Sequence, residues 1–428
     1  MTDPSRLDAT TARRLMREGR LTPRDLVRAC LSRIAARDGE IRAWLSLNPR
    51  AEAEASAIAA SDPRPLAGIP VGIKDVIDTA ELPTTHNSPL YGSRRPSDDA
   101  PCVEILRAAG AIILGKTDTT EFAAAGRNAM TGCPADPARS SGGSSAGSAA
   151  AVADFHVPLA LGTQTGGSTI RPASFCGTPA MKPSWGLIST EGVKLYAASL
   201  DTVGLYARSY DDLALLGDLY GFPETGTPAA RPRLALCLTP YADELAPEMM
   251  DLMQSLPGRL DAVADTEWLQ LPAEMADLDA LHRCVQMSEG AAAMRNLMHK
   301  GPLVHRDFLN RAARSEGHSA RQMFEAYDRL ADHRRAFEAL AAPYDAVIAP
   351  AAPGFAPPGR GAGKPKFNAL WTAMQLPCIH VPARADPLPL GVQLVAARAQ
   401  DSRLIRLAAQ IAPALAPSRP AEKEGKDD

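Results

Sequence analysis

Apolar segments of strand length alternate with helical segments between residues 67 and 220, and this alternation limits the possible folds most. Ala67–Asp78 is rich in valine and isoleucine, as is typical of a buried strand. Residues 101–109 have the pattern of a helix that ends at Gly110, and Ala111–Leu114 is a second apolar segment. Because strands and helices alternate along the chain, we predict a layered α/β fold.

The remainder of the chain adds further elements. Thr22–Asp25 is a helix start signal, with a threonine N-cap, a proline at the first helical position and an acid in the first turn. Thr117 is expected to cap another helix, and residues 245–342 are expected to be mostly helical. Tyr344–Pro350 and Leu390–Val395 are predicted to be strands of the same sheet.

The composition is that of a folded protein, with 45% hydrophobic residues and a formal net charge of −3. A charge this close to zero gives neither the basic footprint of a nucleic-acid-binding protein nor a polybasic membrane patch. The first residues contain no apolar leader, and no apolar run is long enough to span a bilayer. We therefore expect no nucleic-acid partner, no membrane association and a cytoplasmic location.

Cysteines and histidines are scattered along the chain. The seven cysteines include no CxxC pair, which is typical of free thiols in a reducing compartment. The eight histidines show no HExxH or HxH grouping, so the sequence predicts neither a metal site nor another cofactor.

One short pattern suggests a different chemistry. Gly110–Thr117 matches the GxxxxGKT pattern of a P-loop, which requires a pliable loop between its glycines to bind phosphate. Here the residues between the glycines are Ala-Ile-Ile-Leu, which favour a strand. We therefore interpret the match as a coincidence.

Two loops rich in glycine and serine are the more informative feature. Ser140–Ser148 has the composition of a flexible linker, but the helical segment Ala149–Ala153 follows it directly. A second such loop, Thr163–Pro172, lies nearby. Lys74 is a charged residue within an apolar, strand-like segment, and such a lysine is usually a strand-edge residue with its ammonium in water. Beside the two serine loops, however, it is the candidate base, since no Ser-His-Asp grouping or GxSxG turn competes.

These residues resemble the amidase signature family, which uses a serine, a second serine and a lysine. Gly68–Asp75, Gly142–Ser145 and Thr165–Ser168 occur in the order and at spacings typical of that family. Within the family, the layout of Thr163–Ala173 and of Gly192–Tyr196 is most similar to malonamidase. The resemblance implies a mixed β-sheet core covered by helices on both faces.

The resemblance also implies a domain organisation. It covers about residues 5–410, and we expect a single domain over residues 1–416 with its signature core at 65–205. The mostly helical residues 245–342 would be its variable part. The charged, proline-bearing residues 417–428 are expected to be a disordered tail.

By the same resemblance, each site residue has an expected role. Ser168 would be the nucleophile, Ser144 the bridging serine after a cis Gly143–Ser144 peptide, and Lys74 the base. The oxyanion-hole donors would be the backbone N–H groups of the residues Thr165, Gly166, Gly167 and Ser168. An amide is a poor electrophile, so the serine must lose its proton as it attacks. Burial among apolar side chains would lower the pKa of Lys74 and allow it to accept that proton.

The acyl group of the substrate depends on less specific residues. Arg171 lies three residues after Ser168 and could bind a substrate carboxylate through two parallel hydrogen bonds, as suits a malonamate-like monoamide. It could equally be a structural arginine paired with a carboxylate of the fold. Gln286 is a second candidate for the pocket, or a plain helix residue. Gln164 stands where many family members have aspartate, which leaves the support of the nucleophile loop open.

Several functions fit these residues. The first is an amidohydrolase that cleaves a small amide to an acid and ammonia, as a homodimer if it follows its family. The alternatives are the A subunit of a tRNA-dependent amidotransferase, a broad-specificity aliphatic or aryl amidase, and an inactive binding or scaffold homologue.

Overall fold

The structure is a computed structural model that describes residues 3–92, 94–313 and 317–416. The tail predicted at 417–428 lies outside these residues. The strands are β1 (Trp44–Leu47), β2 (Pro70–Lys74), β3 (Ile112–Thr117), β4 (Gly132–Cys133), β5 (Asp136–Ser140), β6 (Leu159–Gln164), β7 (Ala180–Lys182), β8 (Thr202–Ala207), β9 (Arg233–Leu236), β10 (Asp265–Trp268), β11 (Ala346–Pro350), β12 (Cys378–Arg384) and β13 (Leu390–Val395). The α-helices are α1 (Ala9–Arg17), α2 (Pro23–Ile41), α3 (Ala51–Ser56), α4 (Pro101–Ala108), α5 (Ala146–Ala153), α6 (Ile170–Cys176), α7 (Tyr210–Leu219), α8 (Pro247–Leu260), α9 (Leu278–Met294), α10 (Arg306–Ala313), α11 (Ala320–Ala341), α12 (Lys366–Ala373) and α13 (Asp401–Leu415).

Within the described residues, eleven of these strands form one sheet in the order β1-β3-β2-β6-β8-β7-β12-β13-β11-β9-β10. β2 is parallel to both of its neighbours, β3 and β6, and β9 is parallel to β10 and β11. The other pairs of the sheet are antiparallel. The predicted mixed α/β architecture is therefore confirmed.

Both faces of the sheet are buried, because neighbouring residues of one strand belong to different apolar clusters. Successive side chains of a strand point to opposite faces. In β11, Ile348 packs in the cluster that contains Leu404 of α13. Its neighbour Val347 packs in the cluster that contains Leu370 of α12. Helices therefore cover the sheet on both sides, as the resemblance implies.

The parallel pairing of β2 with β6 brings the candidate site together. The carboxyl ends of adjacent parallel strands lie at the same edge of a sheet, where ligands bind in many α/β proteins. Lys74 is the last residue of β2, and Gln164 is the last residue of β6. The loop that follows β6 therefore begins next to Lys74.

Of three local elements predicted from the sequence, two are present in the structure. The helix start at Thr22–Asp25 is confirmed, because Asp25 N–H donates to Thr22 Oγ1 and Thr22 N–H donates to the Asp25 carboxylate. The strand at Leu390–Val395 is confirmed over the same residues. The predicted helix cap at Thr117 is wrong, since Thr117 is the last residue of β3. Its backbone is held by the ladder with β2 instead of starting a helix.

The P-loop pattern is part of β3, as its strand-like residues predicted. Its lysine, Lys116, is fully buried, and Nζ donates to Ile77 O at 2.6 Å and to Thr84 Oγ1 at 2.6 Å. Asp75 lies 3.7 Å from the same ammonium. Lys116 therefore supports the turn after β2.

Three further findings concern the chain as a whole. Cys30, Cys102, Cys133, Cys176, Cys237, Cys284 and Cys378 are all free and buried, which confirms the prediction of free thiols. Within residues 3–92, 94–313 and 317–416, no group of three or more metal-ligating side chains could hold an ion. In the same ranges, no helix is long and apolar enough to cross a bilayer.

Candidate active site

Lys74 lies at the centre of the candidate site and has no solvent exposure. Its Nζ donates to Ser144 Oγ at 2.7 Å and to Thr163 Oγ1 at 2.6 Å. Burial lowers the pKa of Lys74 well below its ordinary value, while the negative charge of Asp201 acts in the opposite direction. The alternative of a strand-edge lysine in water therefore does not apply.

Ser144 lies in a tightly packed turn before α5. The Gly143–Ser144 peptide is cis, as the resemblance implies. Gly142 has a φ of +82°, which favours glycine, and a Cβ there would lie 2.8 Å from the Pro172 backbone. A Cβ on Gly143 would lie 2.8 Å from Ala362. Glycines are thus required where this turn meets its neighbours.

Ser168 lies in the loop after β6 and is 8% exposed. It lines a cavity of about 760 Å³ together with Ser144. Ser145 N–H donates to Ser168 O at 3.3 Å, which joins the two serine loops. The structure therefore brings both serines to one cavity, with Lys74 hydrogen-bonded to Ser144 from the protein interior.

The backbone of the 165–168 loop (Thr165–Ser168) offers free donors to the cavity. Among the described residues, the N–H groups of Gly166, Gly167 and Ser168 have no hydrogen-bond acceptor. All three residues line the cavity. Unpaired N–H groups beside a serine are the arrangement that can stabilise an oxyanion.

Gln164 supports this loop at the position where many members of the family have an aspartate. Its Oε1 accepts from Thr169 N–H at 2.8 Å and from Ile170 N–H at 3.1 Å. Its Nε2 donates to Thr372 Oγ1 at 2.9 Å. A glutamine can accept and donate at once, so it joins the loop to α12 in a way that a carboxylate cannot.

Arg171 is buried, lines the cavity and is bound to backbone carbonyl groups. Nε donates to Ala362 O at 2.6 Å and Nη2 donates to Gly143 O at 2.7 Å, while buried Nη1 has no partner among the described residues. Burial lowers its pKa to about 10. The structural pair with a carboxylate is absent from the described residues. Two N–H protons on Nη1 and one on Nη2 remain for a ligand, so the contact with a substrate carboxylate stays a prediction.

Gln286 lies on α9 and lines the cavity, half-buried. It is farther along the chain from the serine loops than any other predicted site residue. The structure places Gln286 at the same cavity as Arg171. Among the described residues, no hydrogen bond joins the two side chains.

Three residues that no sequence pattern predicted contact the 165–168 loop. His282 Nε2 donates to Thr165 O at 2.9 Å, and Thr372 Oγ1 donates to Gly166 O at 2.7 Å. Thr165 Oγ1 donates to the Asp201 carboxylate, whose pKa burial raises to about 6. Local spacing does not reveal these residues, since they are isolated polar side chains in a helix or after a loop.

Several known proteins are similar to this chain. Residues 25–233 match the family model described as Amidase. The A subunit of the glutamyl-tRNA(Gln) amidotransferase of Chloroflexus aggregans is 42% identical over 246 residues, which are 54% of this chain and 50% of that protein. The chain spans about half the length of the curated relatives it matches.

Solved structures match over nearly the whole chain. A structure of an unexpected vestigial protein complex, described as revealing the evolutionary origins of an s-triazine catabolic enzyme, has a TM-score of 0.87 at 26% identity and covers 96% of this chain and 99% of that chain. The native peptide amidase from Stenotrophomonas maltophilia has a TM-score of 0.81 at 26% identity and covers 97% and 98%. These matches do not single out malonamidase, so that closer similarity stays a prediction.

The expectation of no nucleic-acid partner is wrong. It depended on the net charge of the whole chain, whereas the relative from Chloroflexus aggregans is one subunit of an enzyme named for a glutamyl-tRNA. A net charge is an average over the surface and excludes neither a local basic patch nor a partner subunit.

Lys74, Ser144 and Ser168 all lie within the range that the family model matches. Lys74 at the end of β2, Ser144 before α5 and Ser168 after β6 occur in a fold shared with solved amidases over almost the whole chain. Residues 25–233 of this chain therefore match the amidase family model, and its fold is similar to that of solved amidases.

Proposed function

We propose that this chain hydrolyses the amide bond of a small carboxylic amide, with Ser168 as nucleophile, Ser144 as proton relay and Lys74 as base. The observation that carries the proposal is the 2.7 Å hydrogen bond between fully buried Lys74 and Ser144, beside a cavity that both serines line. The family match and the free, buried cysteines support a reducing, cytoplasmic setting for this enzyme.

The first step is the attack of Ser168 Oγ on the amide carbon. As the bond forms, the Ser168 proton passes to Ser144 Oγ, and the Ser144 proton passes to Lys74 Nζ. This requires the neutral amine, which is why the lowered pKa of Lys74 matters. The N–H groups of the 165–168 loop would hold the oxyanion, and one such donor is typically worth about 100- to 1,000-fold in rate.

In the second step the C–N bond breaks. The leaving nitrogen takes a proton back along the same path, so ammonia or an amine departs and an ester with Ser168 remains. A water molecule then attacks the ester carbon, and its proton passes to Lys74 through Ser144. The C–O bond to Ser168 breaks, and the proton returns along the same path to Ser168 Oγ. The products are the acid and the free enzyme.

The acyl group is the finer part of the proposal. Arg171 Nη1 lies next to Gly167 and has no partner among the described residues, so it could donate one hydrogen bond to a carboxylate of a short, malonamate-like monoamide. Gln286, which lines the same cavity, would be a further contact of the substrate. A broad-specificity amidase is the description to adopt if neutral amides are turned over equally well.

The experiment measures ammonia released by the purified chain from malonamate, propionamide, benzamide and glutamine. Ser168→Ala should lower the rate at least about 1,000-fold, since it removes the nucleophile. Ser174→Ala is the matched control, because the Ser174 hydroxyl is buried but contacts Gly391 away from the cavity. An active Ser168→Ala variant would refute the proposal, and no ammonia from any amide would favour the scaffold alternative.

A second candidate is the glutamine-hydrolysing component of a tRNA-dependent amidotransferase. Curated relatives with the name of its A subunit are 42% and 44% identical over half of the chain, which favours it. Such a component should release ammonia from glutamine weakly when alone and faster with its partner subunits. Turnover of malonamate or propionamide by the isolated chain, with none of glutamine, would eliminate this candidate.

A further inference from the structure

Two successive carbonyl groups of the 165–168 loop are held by side chains from distant helices. His282 on α9 donates to Thr165 O at 2.9 Å, and Thr372 on α12 donates to Gly166 O at 2.7 Å. Both donors are buried, with 1% of each residue exposed. Because a carbonyl can only accept, His282 Nε2 carries the proton in this contact.

Holding a carbonyl also fixes the N–H group of the same peptide. In a trans peptide the C=O and N–H bonds point in opposite directions from one rigid plane. The bond to Thr165 O therefore fixes the direction of Gly166 N–H, and the bond to Gly166 O fixes that of Gly167 N–H. These two N–H groups have no acceptor among the described residues, and both glycines line the cavity.

The contact with Gln164 limits which acceptors the hydroxyl proton of Thr372 can reach. Its Nε2 donates to Thr372 Oγ1 at 2.9 Å, so this oxygen already acts as an acceptor. The single hydroxyl proton of Thr372 then goes to Gly166 O at 2.7 Å in preference to Asn368 O at 3.2 Å. Gln164, Thr372 and Gly166 thus form one connected set of hydrogen bonds.

We propose that His282 and Thr372 are positioning residues that orient the oxyanion-binding N–H groups of Gly166 and Gly167. This rests on the proposed function, in which those groups hold the oxyanion. Glycine peptides rotate easily, so two adjacent glycines need external hydrogen bonds to stay in one orientation. Burial lowers the pKa of His282, which favours the neutral imidazole as the donor to Thr165 O.

The test uses a fluorophosphonate, a serine-directed reagent that needs no knowledge of the natural substrate. Ser168 Oγ forms the bond to phosphorus, fluoride leaves, and a phosphoryl oxygen occupies the oxyanion position. The rate of labelling is followed by mass spectrometry of the Ser168 peptide. Thr372→Val removes the hydroxyl at nearly constant volume and should lower this rate about 10- to 100-fold.

Two further variants separate positioning from simple loss of structure. Thr372→Ser restores the hydroxyl and should keep the labelling rate within about threefold of the wild type. Thr178→Val removes another buried hydroxyl that donates to a backbone carbonyl, Ala207 O at 3.1 Å, and should leave the rate unchanged. With any amide that is turned over, Thr372→Val should lower kcat with little change in KM, and the pH profile should keep its position because Lys74 is untouched.

His282→Leu provides the second, independent arm and should slow labelling by a similar factor. If Thr372→Val does not fold, this variant decides. Labelling at the wild-type rate in Thr372→Val or His282→Leu, or an equal loss in Thr372→Ser and Thr372→Val, would overturn the inference. Failure of the proposed function gives a separate result, since Ser168 of the wild-type protein would then not be labelled at all.

Discussion

Two buried lysines on adjacent strands differ in the partners that surround them. Lys116 on β3 has the carboxylate of Asp75 at 3.7 Å, and burial leaves its pKa at about 8. Lys74 on β2 contacts two hydroxyl groups and no carboxylate among its hydrogen bonds. Burial therefore lowers the pKa of Lys74 well below its ordinary value, and the charge of Asp201, which forms no hydrogen bond with Lys74, opposes this shift only in part. This is the environment that a lysine base requires.

The pH dependence follows from that difference. If neutral Lys74 is the base, kcat/KM should rise with pH as Lys74 loses its proton and should level off below the ordinary lysine range. Lys74→Arg should be inactive at every pH, because a guanidinium does not give up its proton. Lys194 is a matched control, since burial also lowers its pKa, and Lys194→Arg should keep the profile. Measurable hydrolysis by Lys74→Arg would exclude a neutral-lysine mechanism.

At the scale of elements, α5 fits against its neighbours only because its second residue is glycine. A Cβ on Gly147 would lie 2.3 Å from Ala43 O and 2.4 Å from Asp118 N, and both are backbone atoms that cannot move aside cheaply. Gly147 N–H also donates to Asp118 O at 3.0 Å. This close approach fixes the position of α5, whose first turn follows Ser144.

Substitution of this glycine should therefore destabilise the protein. Gly147→Ala is expected to lower the free energy of unfolding by at least about 1–3 kcal/mol through overpacking. Gly258 on α8 has no atom within 4 Å of a built Cβ, so Gly258→Ala should raise the same free energy by up to about 1 kcal/mol. Urea denaturation followed by circular dichroism measures both. Equal stability of Gly147→Ala and wild type would contradict the close packing of α5.

The amino-acid sequence predicts the apolar strands of the sheet but not its polar edge strand. β2, β3, β11 and β13 have apolar sequences and were foreseen from them. β10, at the edge of the sheet, was not foreseen, because its residues Asp-Thr-Glu-Trp are mostly exposed and polar. An edge strand needs no continuous apolar pattern, so hydrophobic periodicity does not reveal it.

At the scale of the whole molecule, the charge of the cavity differs from that of the chain. The chain carries a net charge of −3. Among the described residues that line the cavity, five are cationic: Arg171, Arg283, Arg311, Lys364 and Lys366. Three are carboxylates: Glu244, Asp279 and Asp307. A cleft with an excess of one charge concentrates substrates of the opposite charge.

The salt dependence of catalysis should reveal this field. From about 10 mM to about 1 M salt the Debye length falls from about 30 Å to about 3 Å. We expect kcat/KM for a carboxylate-bearing amide to fall several-fold over this range, and that for a neutral amide of equal length to stay constant. Arg283→Gln should weaken the dependence, whereas Arg17→Gln, an exposed position on α1, should not. An identical response of both substrates would contradict the prediction.

Features that depend on near neighbours in the chain could be predicted from the amino-acid sequence alone. The start of α2 is specified by residues three positions apart, and the apolar sequence of β2 specifies a buried strand that ends at Lys74. The glycine- and serine-rich composition marks the loops at residues 140–148 and 163–172, and the resemblance to the amidase signature family selects Ser144 and Ser168 within them. In each case the deciding interactions are local, so the residue types and their spacing carry the information.

The orientation of these parts depends on contacts between residues that lie far apart in the chain. His282 contacts the 165–168 loop from 117 residues away, and Thr372 from 206 residues away. Arg171 binds two backbone carbonyls, one of them 191 residues away, which no charge pattern foretells. The physical reason is that such hydrogen bonds form wherever helix packing on the sheet brings a donor to an unpaired carbonyl. The distance between donor and carbonyl is set by the packing of the whole chain and not by the spacing of residues within one segment.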